Sequence, residues 1–125
     1  VRKLQDIKLK KKSVDFVISY MSRYFINKDL WDLAKVASLN FHAGLLPKYA
    51  GFAFYNQAIL DESKVYGVTC HHMDDGYDTG PIAFTKKFRI NYQKETAYSL
   101  EKKSQVSMLK LFLKFLETYE KKKDS

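Results

Sequence analysis

The sequence has 125 residues, enough for one small domain, and its 46% hydrophobic and 15% aromatic content is sufficient for a core. A single cysteine, Cys70, excludes an internal disulfide framework and is typical of a reducing compartment. No apolar run approaches the ~18 residues of a membrane span, and the basic first residues lack the apolar segment of a signal peptide. We therefore expect a soluble, cytoplasmic protein.

The formal net charge is +8, which raises nucleic acids and anionic small molecules as partners. Much of the excess positive charge lies in two terminal runs, residues 8–12 and 121–123. A run of charge at a terminus is more often solvent-exposed than part of a binding site. The sequence lacks the aromatic-interleaved basic pattern of RNA-binding modules. We expect no nucleic acid partner and keep an anionic small molecule as an alternative.

The first third of the chain predicts a buried strand followed by a helix. Residues 13–20 form a short apolar run rich in β-branched side chains, as parallel sheets require. The helix begins at Asn27, a good N-cap, and presents Leu30 and Leu33 on one face. In order, the predicted elements are a short helix or tail (2–12), a strand (13–20), a loop (21–25), a helix (27–35) and a short strand (36–39).

The rest of the chain predicts a second helix, two paired strands and a long helix. These elements are a helix (53–61), a strand (65–73), an Asp- and Gly-rich loop (74–80), a strand (82–90) and a helix (96–120). Because the connection between the two strands is short, we expect them to pair antiparallel. The long helix has an apolar series at spacings typical of a buried face, formed by Leu109, Phe112, Leu113 and Leu116.

One edge of this predicted sheet lacks a neighbour. The chain enters almost directly into a buried strand, and parallel strands usually have neighbours on both sides. The few strands that follow cannot cover both of its edges. We therefore expect either an earlier part of a larger sheet or a partner, such as a second copy of the chain, at that edge.

Three polar side chains in residues 40–82 suit carbonyl chemistry. Asn40 and His42 are two apart, so on a strand they project from the same face. A carboxamide can donate to an oxyanion, and an imidazole can stabilise the same charge or exchange a proton. Asp78, in a loop, could accept a proton or hold the histidine. This set suits acyl transfer to an amine, and a structural Asn with a buried, hydrogen-bonded His is the alternative.

A metal site is disfavoured although His71, His72, Asp74 and Asp75 are close in sequence. Adjacent residues of a strand face opposite sides, so the two histidines cannot chelate one ion together. Cys70 lies on the same side as His72 and completes a poor ligand set. We expect no metal and interpret Cys70 as a small apolar filler.

The motifs of this central stretch resemble the formyltransferase family that uses N10-formyltetrahydrofolate. They are Asn40-Phe41-His42, Leu45-Leu46-Pro47-Lys48-Tyr49, Gly51, Gly67-Val68-Thr69, His71 and Asp78-Thr79-Gly80. The resemblance implies an α/β fold: the latter part of a Rossmann-like domain, with a central mixed sheet, an antiparallel hairpin-like pair and a long C-terminal helix. It implies residues 1–125 as a partial catalytic domain without a second domain.

The resemblance also implies roles for individual residues. Asn40 and His42 would stabilise the tetrahedral oxyanion, Asp78 would assist proton transfer, and His71 would be the second histidine of the motif. N10-formyltetrahydrofolate is the implied co-substrate, and its pocket would be formed by Met21, Arg23, Tyr24, Met73, Asp74, Asp75, Gly76 and Tyr77. The supporting motif residues would be Leu46, Pro47, Gly51, Thr79 and Gly80.

Three departures from the family pattern stand out. Many members carry Ser where Gly44 stands, and Ala50 replaces a residue that is often Arg or Pro. The β-α-β units that begin the family's domain are missing, so activity of this chain alone is in question.

The segment around residues 19–26 leans towards the sugar N-formyltransferases, whose acceptor is a nucleotide-linked amino sugar. We expect this acceptor class. The alternatives are glycinamide ribonucleotide formyltransferase or another formyltransferase, formyltetrahydrofolate hydrolase, and an inactive chain that acts only by association. Methionyl-tRNA formyltransferase is disfavoured because that enzyme continues into a second domain.

Overall fold

The computed structural model describes residues 9–22, 24–49, 54–76 and 79–124. Within them, four strands and three helices follow one another along the chain. They are β1 (Val14–Tyr20), α1 (Lys28–Trp31), β2 (Ala34–His42), α2 (Phe54–Leu60), β3 (Val65–His72), β4 (Ile82–Arg89) and α3 (Ala97–Asp124). The α/β class predicted from the sequence is confirmed.

The four described strands form one mixed sheet in the order β1-β2-β3-β4. β1 pairs parallel with β2, whereas β2–β3 and β3–β4 are antiparallel. The predicted antiparallel pairing of the last two strands is thus confirmed. Among the described residues, β1 has β2 as its single strand neighbour, so the outer edge of β1 is unpaired there.

The boundary between α1 and β2 differs from the prediction. Asn27 caps the helix as expected, with Oδ1 accepting from the Leu30 amide at 3.3 Å. The helix then ends at Trp31 instead of residue 35, and β2 already begins at Ala34. The reason is pairing with the preceding segment, because Val14 N donates to Leu33 O at 3.2 Å. Tertiary pairing outweighs the helical propensity of residues 32–35.

The long helix α3 begins with a reciprocal cap and packs on one face of the sheet. The Ser99 amide donates to Thr96 Oγ1 at 3.1 Å, and the Thr96 amide donates to Ser99 Oγ at 2.9 Å. Its buried side contributes Met108, Leu111 and Phe115 to a core with side chains of β2 and β3.

The predicted buried face of α3 is largely wrong. Leu109 and Leu113 are 53% and 54% exposed, and Leu116 is 38% exposed, while Phe112 is partly buried against the core. The observed buried series is Leu100, Ser104, Ser107, Met108, Leu111 and Phe115. The two serines interrupt the apolar pattern of this series, so the exposed leucine series is the more continuous apolar pattern in the sequence.

A second core cluster lies beside the first and joins α2 to α3. It contains Tyr49, Ala58, Tyr66, Ile90 and Leu100. Both clusters lie on the face of the sheet that carries Phe41, Val68 and Cys70. The opposite face, which carries Ser38 and His42, is contacted by the carbonyl of Trp31 in α1 and by the ring of Phe54 in α2. Within the described ranges, no helix is long and apolar enough to cross a membrane.

Candidate active site

Four polar side chains occupy neighbouring positions on the face of the sheet opposite α3. Asn40 and His42 lie at the carboxyl end of β2, as their spacing predicts. On β3, His71 is directly opposite Asn40, and Thr69 is directly opposite His42. Residues paired in this way project from the same face. His42, Thr69 and His71 are buried, with 8%, 0% and 3% exposure, and Asn40 is partly exposed.

Asn40 and His71 are joined by a side-chain hydrogen bond. The distance between Asn40 Nδ2 and His71 Nε2 is 3.0 Å, and the distance between His71 Nδ1 and the His72 carbonyl oxygen is 2.9 Å. A carbonyl oxygen can only accept, so Nδ1 carries the hydrogen, and an amide nitrogen donates, so Nε2 accepts. This assignment gives a neutral His71 imidazole and fixes the amide of Asn40.

His42 is held by the turn that follows β2. Its Nε2 donates to the Tyr49 carbonyl oxygen at 2.6 Å, and its ring meets Phe54 edge-on at a centroid distance of 4.8 Å. A Cβ at Gly44 would lie 2.7 Å from the same carbonyl oxygen and 2.9 Å from His42 Nε2. Gly44 thus permits the contact, and the serine expected there from the family pattern would crowd it.

Thr69 of β3 connects this turn to the sheet through two hydrogen bonds. Its hydroxyl donates to the Gly44 carbonyl oxygen at 2.7 Å and accepts from the Leu46 amide at 3.2 Å. Leu46 is half-buried, Pro47 is exposed, and the peptide bond between them is cis. Thr69 is not among the residues predicted for the site. Its position two residues before His71, hence on the same strand face, was the available signal.

The loop after β3 lies next to Asn40 and His71. The Met73 amide donates to the Ser38 carbonyl oxygen of β2 at 2.9 Å, and the His72 amide donates to the Pro81 carbonyl oxygen at 2.8 Å. A Cβ at Gly80 would lie 1.6 Å from the His72 carbonyl oxygen, so a side chain there would displace the loop.

Asp74 organises the same loop from within. Its Oδ1 accepts from the Thr79 hydroxyl at 2.6 Å and from the Gly76 amide at 2.9 Å. These contacts, that of Thr79 first, hold the pKa of Asp74 below its usual value. Asp75 and Gly76 are exposed. The Asp74 carboxylate therefore fixes the conformation of this turn from within.

The loop after β1 reaches the same end of the sheet. Met21 has a φ of 50° and donates its amide to the Phe41 carbonyl oxygen at 2.9 Å. Its side chain packs against the first core cluster, whereas Tyr24 is 72% exposed. The position agrees with the rule that the carboxyl ends of parallel strands line ligand sites.

Four of the predicted site residues lie outside the described residues. They are Arg23, Gly51, Tyr77 and Asp78. The described residues bring Asn40, His42 and His71 together, and Met73 follows β3 beside them; Met21 reaches the same end of the sheet through its backbone, while its side chain packs into the core on the other face. The catalytic and folate-binding roles of all these residues stay predictions.

Cys70 and His72 do not contribute to this face. Cys70 is fully buried in the α3 core, and burial raises the pKa of its thiol to about 12, so the thiol is protonated near neutral pH. His72 is exposed and points away from His71. Among the described residues, no three His, Cys, Asp or Glu side chains converge where a metal ion could bind.

Comparison with known proteins identifies relatives of this arrangement. The family profile described as formyl transferase matches residues 3–116. Methionyl-tRNA formyltransferase of Thermodesulfovibrio yellowstonii is 33% identical over 114 residues, which are 91% of this chain and 37% of that protein. The chain spans between 24% and 37% of the length of the methionyl-tRNA formyltransferases that it matches first.

Solved structures agree with the sequence comparison. Phosphoribosylglycinamide formyltransferase from Bacillus halodurans is 33% identical with a TM-score of 0.69, over 78% of this chain and 50% of that one. The formyltransferase PseJ from Anoxybacillus kamchatkensis is 33% identical with a TM-score of 0.71, over 89% of this chain and 60% of that one. The PseJ structure contains UDP-4,6-dideoxy-4-formamido-L-AltNAc and tetrahydrofolate.

Proposed function

The chain belongs to the formyl transferase family, and from this premise we propose that it takes part in formyl transfer from N10-formyltetrahydrofolate to the amine of a nucleotide-linked amino sugar. The observation that carries the proposal is the hydrogen-bonded pair Asn40–His71, with His42 beside it on the same face. These groups lie where the carboxyl ends of β1 and β2 meet, which is where open α/β sheets bind ligands.

The proposed reaction uses these groups on a tetrahedral intermediate. The acceptor amine attacks the formyl carbon, a new N–C bond forms, and the formyl oxygen becomes an oxyanion. The bond from that carbon to N10 of the folate then breaks, and Asp78 passes the proton from the amine to N10, directly or through water. The two substrates exchange a formyl group for a proton, so the step is redox-neutral and requires no oxidant.

Asn40 supplies the donor for the oxyanion in this proposal. Its Nδ2 carries two hydrogens and can serve His71 and a second acceptor together. Because His42 Nε2 donates to Tyr49, a donor from His42 would come from Nδ1 of the protonated ring or from a rotated ring. Donors of this kind typically contribute about 10²–10³ in rate.

The two loops beside the pair are the proposed folate site. Met21 and Tyr24, with Arg23 between them, would line one side, and Met73 to Gly76 with Tyr77 the other. The turn ordered by Asp74 supports this part of the proposal, because it follows the strand that carries His71 and its conformation is fixed by two hydrogen bonds to the Asp74 carboxylate. A preorganised turn also reduces the entropy lost on binding.

The amino-sugar acceptor is favoured by two observations. The segment at residues 19–26 is similar to that of sugar N-formyltransferases, and PseJ, whose structure holds a UDP-linked formamido sugar, matches 89% of this chain. The net charge of +8 suits an acceptor with a diphosphate.

A second candidate acceptor is methionyl-tRNA. The relative from Thermodesulfovibrio yellowstonii is as similar in identity as PseJ, and a basic protein suits tRNA as well as a nucleotide. Glycinamide ribonucleotide has comparable support from the Bacillus halodurans structure.

An acceptor panel tests the proposal. The protein that carries this chain is incubated with N10-formyltetrahydrofolate and, in parallel, nucleotide-linked amino sugars, glycinamide ribonucleotide, methionyl-tRNA or water alone. We expect a formyl mass gain on an amino sugar. Formylation of the tRNA or the ribonucleotide alone, or release of formate with water alone, would contradict the amino-sugar assignment and identify the alternative.

In the same proposal, residues 1–125 are part of the catalytic domain. A further strand or a second copy of the chain pairs with the outer edge of β1. Sedimentation of residues 1–125 tests this part. Self-association or aggregation through that edge is expected, and a stable monomer that binds folate and transfers formyl groups would contradict it.

A further inference from the structure

We propose that His71 is a positioning residue, whose neutral imidazole with its hydrogen on Nδ1 fixes the carboxamide of Asn40 for the reaction. This inference rests on the proposed function, in which Asn40 donates to the oxyanion. It gives His71 no contact with the substrates: His71 acts through Asn40.

The hydrogen bonds set the orientation of both groups. The His72 carbonyl oxygen accepts from His71 Nδ1, so the lone pair of the neutral ring is on Nε2, which faces Asn40. A carboxamide turned by 180° would place its oxygen against that lone pair and lose the hydrogen bond. The ring therefore selects the orientation with Nδ2 towards His71. At 3% exposure, His71 makes these bonds away from bulk water, where losing one is costly.

The backbone supports this selection. Asn40 and His71 are directly paired across β2 and β3, so the distance between their side chains follows from the strand register. The β2–β3 pairing is regular from Leu39–His72 to His42–Thr69, so no irregularity separates the two side chains. On the other side of β3, the pairing with β4 shifts between Cys70 and His71, and the extra residue, Ala83, is on β4. The irregularity therefore leaves the position of His71 opposite Asn40 unchanged.

Gly80 connects the loop to the same hydrogen bonds. The His72 carbonyl that sets the hydrogen on His71 is the atom that a Cβ at Gly80 would approach to 1.6 Å, and the same Cβ would lie 3.5 Å from His71 Nδ1. The absence of a side chain at Gly80 lets the loop pass over this carbonyl without displacing it. Gly80, the His72 carbonyl, His71 and Asn40 thus form one continuous set of contacts from the loop to the oxyanion donor.

Substitution with a kinetic readout tests the role. His71→Phe keeps a planar ring but removes both ring nitrogens, and His71→Gln keeps an oxygen that can accept from Asn40. We expect His71→Phe to lower kcat by about 10²-fold, with KM for both substrates within about threefold, and His71→Gln to recover part of the loss. Asn56→Ala, at an exposed position of α2 away from these contacts, is the control and should keep the wild-type kcat.

Nitrogen NMR of the folded protein tests the geometry without turnover. The ring nitrogens of His71 should show a protonated Nδ1 and an unprotonated Nε2, and the side-chain amide signals of Asn40 should shift in His71→Phe. A hydrogen on Nε2 alone would overturn the inference even if His71→Phe does not fold. An active wild-type protein with an equally active His71→Phe variant would also overturn it.

The two measurements separate this inference from the function on which it rests. A wild-type protein that formylates no acceptor would overturn the proposed function and, with it, the catalytic meaning of the pair. The tautomer of His71 and its bond to Asn40 would still be read from the spectrum.

Discussion

Thr69 shows how a single hydroxyl connects the sheet to the turn that holds His42. The hydroxyl is fully buried and is bonded on both sides, to the Gly44 carbonyl and to the Leu46 amide. This turn places the Tyr49 carbonyl oxygen within hydrogen-bonding distance of His42 Nε2. A residue with no expected chemical role thus determines where the imidazole lies.

Replacing Thr69 by the isosteric Val tests this connection. The change leaves one buried amide and one buried carbonyl without their partner, so we expect a loss of about 1–3 kcal/mol in the free energy of unfolding and a lower rate of formyl transfer. Denaturant unfolding measures the first effect. Thr85→Val, at the exposed cross-strand partner on β4, is the control and should change stability by less than about 0.5 kcal/mol. Equal effects of the two changes would contradict the account.

The lowered pKa of Asp74 gives a second prediction at this scale. Its carboxylate orders the loop through Thr79 and Gly76, and this contribution is present above the ordinary pKa of an aspartate and is lost as the pH falls through the lowered value. Thr79→Val should move the pKa of Asp74 back up, and Thr79→Ser should not. Carbon NMR of the carboxyl group during a pH titration measures both, and identical midpoints in the two variants would argue against the assigned cause.

The sequence predicts part of the site at this scale. The spacing of Asn40 and His42 is sufficient to place them on one face, because side chains alternate along a strand. The contact of Asn40 with His71 is not predictable in the same way, because it depends on the register between β2 and β3. Likewise, the Tyr49 carbonyl is a backbone group and leaves no signal in the residue types.

Helix α3 is the element where pattern and structure differ most. Its apolar series at Leu109, Leu113 and Leu116 is continuous, yet these side chains are 38–54% exposed. The buried series contains Ser104, so its apolar period is broken. Helical periodicity therefore identified the helix but not its orientation, which depends on the sheet against which it packs.

A pair of adjacent substitutions tests which side of α3 stabilises the fold. Met108 is fully buried, so Met108→Ala should lower the free energy of unfolding by about 2–5 kcal/mol. Leu109 is 53% exposed, so Leu109→Ala should change it by less than about 0.5 kcal/mol. Thermal or denaturant unfolding of the two variants measures the difference, and the reverse order would restore the face predicted from the leucine series.

At the scale of the whole molecule, the mixed sheet separates a packing face from a reactive face. Phe41 and Cys70 point towards α3, and Asn40 and His71 point the other way. The antiparallel pairing of the last two strands was predictable from the length of their connection, and the α/β class was implied by the family resemblance. Which face carries the core and which carries the polar side chains was not predictable, because this depends on the register of all the strands.

This separation predicts that residues of the reactive face affect turnover without unfolding the protein. Asn40 is partly exposed and contributes to neither core cluster, so its removal leaves both cores intact. Asp78→Asn should act on turnover in the same way if it transfers the proton as proposed.

The single-turnover rate of formyl transfer in Asn40→Ala, relative to wild type, is the most direct test that this face performs the chemistry. The matched control is Asn56→Ala, at an exposed position of α2. We predict a loss of about 10²–10³-fold for Asn40→Ala in a protein that still folds and unfolds cooperatively, with about 1–3 kcal/mol of stability lost because His71 Nε2 loses its donor, and a wild-type rate for Asn56→Ala. A wild-type rate of formyl transfer in folded Asn40→Ala would contradict the assignment of this face as the active site.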